Sequence, residues 1–302
     1  MIRAAILFFA LVGVVAAADD LQTQSPTTTV QSFTTVEGAD LMARLEAAQT
    51  KASARQTPYW SAYTFDVRPG VAVDPAIREF NGTMNTIGDT TVFIGTTPTG
   101  QTVETRNLAI FLLRDAASNQ ITRMEVYNLE RKREYSGYPV YWLGRANNEE
   151  SLNYLRAIAA ATPLDMLSER AVLSIALHDD ARVGGMLKNF VSSSPNQHIR
   201  STSVYWLGQV GGEQAFLSSL VRNDSEEKKI RTAAAHAIGR SRDRGTVATL
   251  IQSSPLHSNA SVNQRPKSFR VYKYLGLVKL IVILKSSLSS LTVLRCRRPT
   301  SP

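Results

Sequence analysis

Val140-Tyr141-Trp142-Leu143-Gly144 returns unchanged as Val204-Tyr205-Trp206-Leu207-Gly208. Two looser forms, Leu173-Ser174-Ile175-Ala176-Leu177 and Ala234-Ala235-His236-Ala237-Ile238-Gly239, stand on the same frame. Aligned on Leu143, Leu177, Leu207 and Ile238, the steps are 34, 30 and 31 residues. A period of that length marks a stacked array of small units. Around the anchors the apolar spacing is helical: Ile199, Ser203, Trp206 and Leu207, then Ile230, Ala234, Ala237 and Ile238. Offsets of 4, 7 and 8 put one stripe toward a core.

A second helix is predicted after each anchor. Leu152, Leu155 and Ile158 supply its apolar face in the first unit, and Met186, Leu187, Phe190 and Val191 in the second. Phe216, Leu217, Leu220 and Val221 do so in the third, and Val247, Ala248 and Ile251 in the fourth. Gly144, Gly208 and Gly239 are expected to end the first helices, where a residue without a Cβ is favoured. Tyr138-Pro139 suits a helix start. No single pair can bury both of its faces, so the units must stack.

Ile199-Arg200 through Gly208, and Ile230-Arg231 through Gly239, resemble HEAT repeats, particularly the short bacterial kind. The resemblance covers about 115 residues, and its motifs are sharpest in the third and fourth units. Arg170, Arg200 and Arg231 recur at equivalent positions, with Glu169 and Glu227 nearby but Asn196 before Arg200. These arginines are read as struts between units. The predicted fold is mainly α: an α-solenoid of about four HEAT-like helix pairs, preceded by a small antiparallel β-rich domain. Membership would imply a binding or assembly scaffold with a protein partner, and no particular partner, because fold does not fix function.

Outward from the array, the chain divides into five stretches. Residues 1–18 read as a secretory signal peptide: Arg3, an apolar run from Ala4 to Val15, then Ala16-Ala17-Ala18. The expectation is export to the periplasm or beyond, with cleavage after Ala18. Residues 19–37 form a polar leader. Residues 38–134 hold a short helix over Asp40–Ala48 and candidate strands at Trp60–Val67, Thr90–Gly95, Gln101–Glu104, Leu108–Leu113 and Ile121–Tyr127. Arg68-Pro69-Gly70, Asn81-Gly82, Thr97–Gly100 and Asp115–Asn119 read as the turns between them. Residues 135–252 are the array.

Residues 253–302 break the pattern. They carry nine Lys or Arg and no Asp or Glu, so they hold the whole net charge of +9. The other 25 basic residues match the 25 acidic ones, and the body exerts no net pull on phosphate. No nucleic acid is expected as a partner, and membrane contact is expected only through this tail. The abrupt shift in composition suits a reading-frame error or a truncated gene model, and equally a basic amphipathic segment on an anionic membrane.

Chemistry is sparse. Cys296 stands alone, so neither a disulfide nor a cysteine zinc site can form within the chain. There is no HExxH, phosphate-cradling glycine loop, GxSxG or paired CxxC. His178 with Asp179-Asp180 is the one compact donor cluster, and it falls where other units have a terminal glycine. Neither a cofactor nor a metal is expected, and no catalysis. Second-helix polar positions Asn153, Arg156, Lys188 and Ser219 are the candidate partner-binding residues. Two alternatives are an accessory protein similar to the phycobilin lyases, which carry short HEAT-like repeats, and a membrane-surface binder acting through the basic tail.

Overall fold

The structure, a computed structural model, describes residues 33–75, 79–161 and 165–240. The expected signal peptide, most of the leader, the fourth second helix and the basic tail lie outside the described residues.

Eight strands and seven helices are present among the described residues. They begin with β1 (Thr34–Thr35), α1 (Leu41–Ser53), β2 (Tyr59–Thr64) and β3 (Val71–Val73). β4 (Asn81–Ile87), β5 (Thr90–Thr96), β6 (Leu108–Arg114), β7 (Ile121–Asn128) and β8 (Val140–Arg145) follow. The helices α2 (Asn148–Ala161), α3 (Asp165–Ala176), α4 (Arg182–Ser193), α5 (Gln197–Val210), α6 (Gln214–Arg222) and α7 (Lys228–Arg240) complete them. The strands form a five-stranded sheet, ordered β1-β8-β2-β6-β7, and a three-stranded antiparallel sheet, ordered β3-β5-β4.

The expected mainly-α solenoid is thereby corrected to a mixed α/β fold. Its first unit is no helix. Val140-Tyr141-Trp142-Leu143-Gly144 is the inner strand β8, parallel to β1 on one side and β2 on the other. The expected antiparallel domain is corrected too, since the larger sheet is mixed. Val, Tyr and Trp favour a pleated, half-buried surface, and their period here is two. Tyr141 and Leu143 join the helix-side core, whereas Val140 and Trp142 join an aromatic layer on the opposite face. Gly144, at φ +72°, lies where the β2–β8 register shifts, one residue before the strand ends at Arg145.

The same five residues in α5 obey a period of 3.6. Ile199, Ser203, Trp206 and Leu207 are buried as the spacing predicts. Gly208 does not end this helix. It lies inside α5, where a Cβ would fall 2.8 Å from the Ala237 Cβ of α7, and the helix runs on to the Gly211 cap. Helix α3 packs more closely on α2 than on α4, α5 more closely on α4 than on α6, and α7 packs on α6, while α5 also lies against α3 and α7 and joins the three into a row. For α3 and α5 the predicted pairing with the following helix is thus shifted by one.

Strand β2 shows why the sheet lies where it does. Tyr59 and Tyr63 face the helices, whereas Trp60 and Ala62 face the aromatic layer. Helix α1 starts at its Asp40 cap, whose Oδ1 accepts from the Ala43 N–H at 2.8 Å. It buries Leu41, Leu45, Ala48 and Ala52 as one stripe. Arg44 of α1 donates to the Leu143 and Arg145 carbonyls, tying that helix to the end of β8. One core cluster runs from Val36 to Ile238, so sheet and helices share an interior.

The recurring arginines have separate jobs. Arg200 ties α5 to Glu226 (2.7 Å) and Glu227 (3.2 Å) ahead of α7. Arg231 meets exposed Asp224 at 3.0 Å. Arg170 leaves the helices altogether and binds the carboxylate of Glu125 on β7.

Candidate protein-binding edge

Asn81-Gly82-Thr83-Met84-Asn85-Thr86-Ile87 has few strand formers, and Asn81-Gly82 reads in sequence as a turn. It becomes β4 because Val92, Phe93 and Ile94 of β5 hold it along its whole length. Gly88-Asp89 closes the hairpin, with Gly88 at φ +60° in the first turn position. Gly82 opposes Gly95, and a Cβ on Gly82 would fall 2.3 Å from the Ile94 carbonyl oxygen. The two strands therefore approach closely there, and only glycine fits.

β4 is the outer strand of its sheet. Ile87 and Thr90 close a two-residue turn, so their main chains bond to each other, and Asn85 bonds likewise to Val92 and Thr83 to Ile94. Gly82, Met84 and Thr86 then turn their N–H and C=O groups away from β5. Among the described residues no other element takes a main-chain hydrogen bond from them. Natural edges are guarded by charge, proline, a bulge or a covering loop. From Asn81 to Ile87 there is neither a charge nor a proline.

The side chains split by face. Ile87 is buried and the Thr83 hydroxyl donates to Gln209 Oε1 of α5 at 3.2 Å, whereas Gly82, Met84 and Thr86 are exposed. Met84 keeps 59% of its surface in solvent, unusual for a large apolar side chain on a strand. Beside it opens a cleft of about 270 Å³ lined by Asp74, Pro75, Phe80, Met84, Thr91, Phe93 and Arg131. Phe80 meets Phe93 edge-on at 4.5 Å. The rim is fixed: Asp74 Oδ1 accepts from the Thr91 N–H at 2.9 Å, its carboxylate pairs with Arg133, and Arg131 Nε donates to its carbonyl at 3.1 Å. An open edge beside an apolar cleft is what an added strand needs, main chain for affinity and a pocket for alternate side chains.

The hairpin is anchored from behind. The Arg170 guanidinium lies against Gly88, where a Cβ would fall 1.7 Å from Nη2. Glu125, fully buried, accepts from Arg170, from Arg123 Nε at 2.9 Å and from the Thr90 hydroxyl at 3.2 Å. Arg123 also pairs with Asp89 in the turn.

Two other places have polar character. An open groove of about 370 Å³ is lined by Asp66, Arg68, Glu104, Arg106 and Arg145, among others. Its cations are already committed. Arg68 donates to the Val210 carbonyl at 2.9 Å, Arg145 pairs with Asp66, and Arg106 meets Glu104 at 3.5 Å. Beneath its floor His178 stacks on Phe65 at 4.3 Å. Its Nδ1 lies 2.7 Å from the Ser174 carbonyl, which fixes that nitrogen as donor, so Nε2 accepts from the Ser151 hydroxyl at 2.8 Å. Ser151 Oγ is in turn 3.2 Å from the Tyr63 hydroxyl. Burial pushes the His178 pKa down to about 4, and burial raises that of Tyr63. Ser151, His178 and Tyr63 are all sealed from solvent, so this serine–histidine pair has no path to a substrate.

The candidate residues named from sequence lie elsewhere. Asn153 and Arg156 are exposed on α2, Lys188 of α4 pairs with Glu213 at 3.0 Å, and Ser219 is exposed on α6. None of them lines the β4 edge or its cleft. Sequence reasoning missed that edge because its chemistry belongs to the main chain. The sequence carries no strand signal there, because Asn81-Gly82 reads as a turn and few of the residues after it are strong strand formers. Comparison with protein-family models, with characterised proteins and with solved structures finds no match.

Proposed function

We propose that this protein is a non-catalytic protein-binding or assembly scaffold of the cell envelope, and that it takes an extended segment of its partner as an added strand along β4. The observation that carries this reading is the unguarded outer edge of β4 beside the Phe80, Met84 and Phe93 cleft. The likeness of Ile199–Gly208 and Ile230–Gly239 to HEAT repeats supports a binding role, and the signal-like residues 1–18 support the location.

The test is to pan a library of extended peptides against the full chain and follow amide exchange of the selected complexes. Slowed exchange at Gly82, Met84 and Thr86, lost in Met84→Pro, is the expected result. Protection centred instead on α2, α4 and α6, around Asn153, Arg156, Lys188 and Ser219, would overturn the edge as the binding surface.

A further inference from the structure

The outward groups of β4 are arranged symmetrically along the strand. Gly82, Met84 and Thr86 are the three positions whose main chain faces out, and Met84 is the middle residue of a strand that runs from Asn81 to Ile87. We infer that the added strand is β4 of a second copy of this chain, antiparallel, with the two-fold axis through Met84. This rests on the edge reading above and names its partner.

In that register Gly82 pairs with Thr86 of the second copy, Met84 with its own counterpart, and Thr86 with Gly82. Each pair exchanges both main-chain bonds, giving about six in all. No outward group is left over, and a shift by two residues in either direction would strand one pair. The two small sheets would then join into one of six strands, β3-β5-β4 continuing into its copy. A two-fold interface must be self-complementary.

Charge decides in favour of self-pairing being tolerated. A charged residue near the axis would face its own like charge, which is destabilising. Nothing from Asn81 to Ile87 carries one. The nearest charges lie outside the paired stretch: Glu79 of one copy would fall opposite Asp89 of the other, where Arg123 already pairs with Asp89 and offsets the like charge. On the outer face the two exposed Met84 side chains would meet at the axis, each flanked by a Phe80–Phe93 pair. The bulk of each Thr86 would lie opposite a glycine. One short strand pair buries little surface, so the dimer should depend on concentration.

The test uses the full chain in a Cys296→Ser background. Sedimentation over a hundredfold concentration range should show monomer passing to dimer. Met84→Cys should be joined between copies by a short bis-maleimide. Asn81→Cys, whose copies would lie roughly 20 Å apart at 3.4 Å per residue, should not. Met84→Lys should leave the far-ultraviolet spectrum and melting temperature unchanged while shifting the dimer at least tenfold toward monomer. A chain that stays monomeric, or a dimer that neither links at position 84 nor responds to Met84→Lys, overturns the inference. In either case the peptide experiment separates the two readings. Exchange protection of β4 by a selected peptide would leave the edge standing with a foreign partner, and its absence would remove both.

Discussion

His178 shows how much one side chain can commit. It is held neutral by burial, with its two ring nitrogens spent on the Ser174 carbonyl and the Ser151 hydroxyl. In the folded protein it takes a proton only near pH 4, whereas in the unfolded chain it does so near 6.5. The unfolded state therefore binds more protons between those values. The contribution of this residue is complete above pH 6.5 and is lost as pH falls through about 4. Urea unfolding should show stability declining over that window by at most about 1.4 kcal/mol per pH unit. His178→Gln should be less stable at pH 7 and should lack that part of the decline. An unchanged slope in the variant would mean that His178 is protonated in the fold.

Glu125 makes the opposite commitment, as a buried carboxylate held by Arg170 and Arg123. Arg170→Ala would leave it under-compensated, at a cost of about 3 kcal/mol. Glu125→Leu combined with Arg170→Met should recover most of that loss, because no uncompensated charge remains inside. Chemical denaturation of the three variants checks this. Gly88→Ala should cost about 1–3 kcal/mol, since alanine would have both to adopt φ +60° and to displace the guanidinium.

At the scale of elements, one pentapeptide makes a strand at Val140 and a helix at Val204. Its residues suit both, so the decision comes from outside it. Ile199 and Ser203 complete a helical stripe for the second copy, whereas the first copy slots between β1 and β2. That partnering is invisible in a linear period, and it is why the expected solenoid gained a unit that does not exist. Where local pattern and context agreed, the sequence was enough. β5, β6 and β7 lie where Thr90–Gly95, Leu108–Leu113 and Ile121–Tyr127 predicted strands. β4 and β3 were not legible, because β4 borrows its conformation from β5, and Val71–Val73 is too short to show alternation. Gln101–Glu104 holds only a single bridge, Thr96 to Thr102.

The two glycines of the pentapeptide give a direct test. Gly208→Ala would press on Ala237 across the α5–α7 contact and should cost about 1–3 kcal/mol. Ala237→Gly in the same chain should restore part of it. Gly144→Ala should cost about 1–2 kcal/mol through its φ of +72°, with no rescue from any neighbour. Thermal melts of the double-mutant set would separate crowding from backbone strain.

On the scale of the molecule, the interior is continuous from α1 to α7, and Arg68 couples the loop after β2 to the carbonyl ends of α3 and α5. Residues 38–134 should therefore not fold alone. That fragment lacks β8, leaving the β2 edge bare and the Tyr59 and Tyr63 side of the sheet without its helices. Its circular dichroism should be that of an unfolded chain, whereas residues 33–240 should unfold in one transition seen alike by tryptophan fluorescence and by helix signal.

The position of β8 also sets an order of events in time. β6 and β7 are neighbours in the chain and can zip together early. β2 must wait, on its other side, for a strand some 80 residues further along, as the Trp60–Val140 pairing shows. Closing so long a loop is slow compared with local pairing. During synthesis, then, every nascent chain passes through an interval in which the Tyr59–Thr64 edge has no mate. The arrival of Val140 is the moment at which that exposure ends.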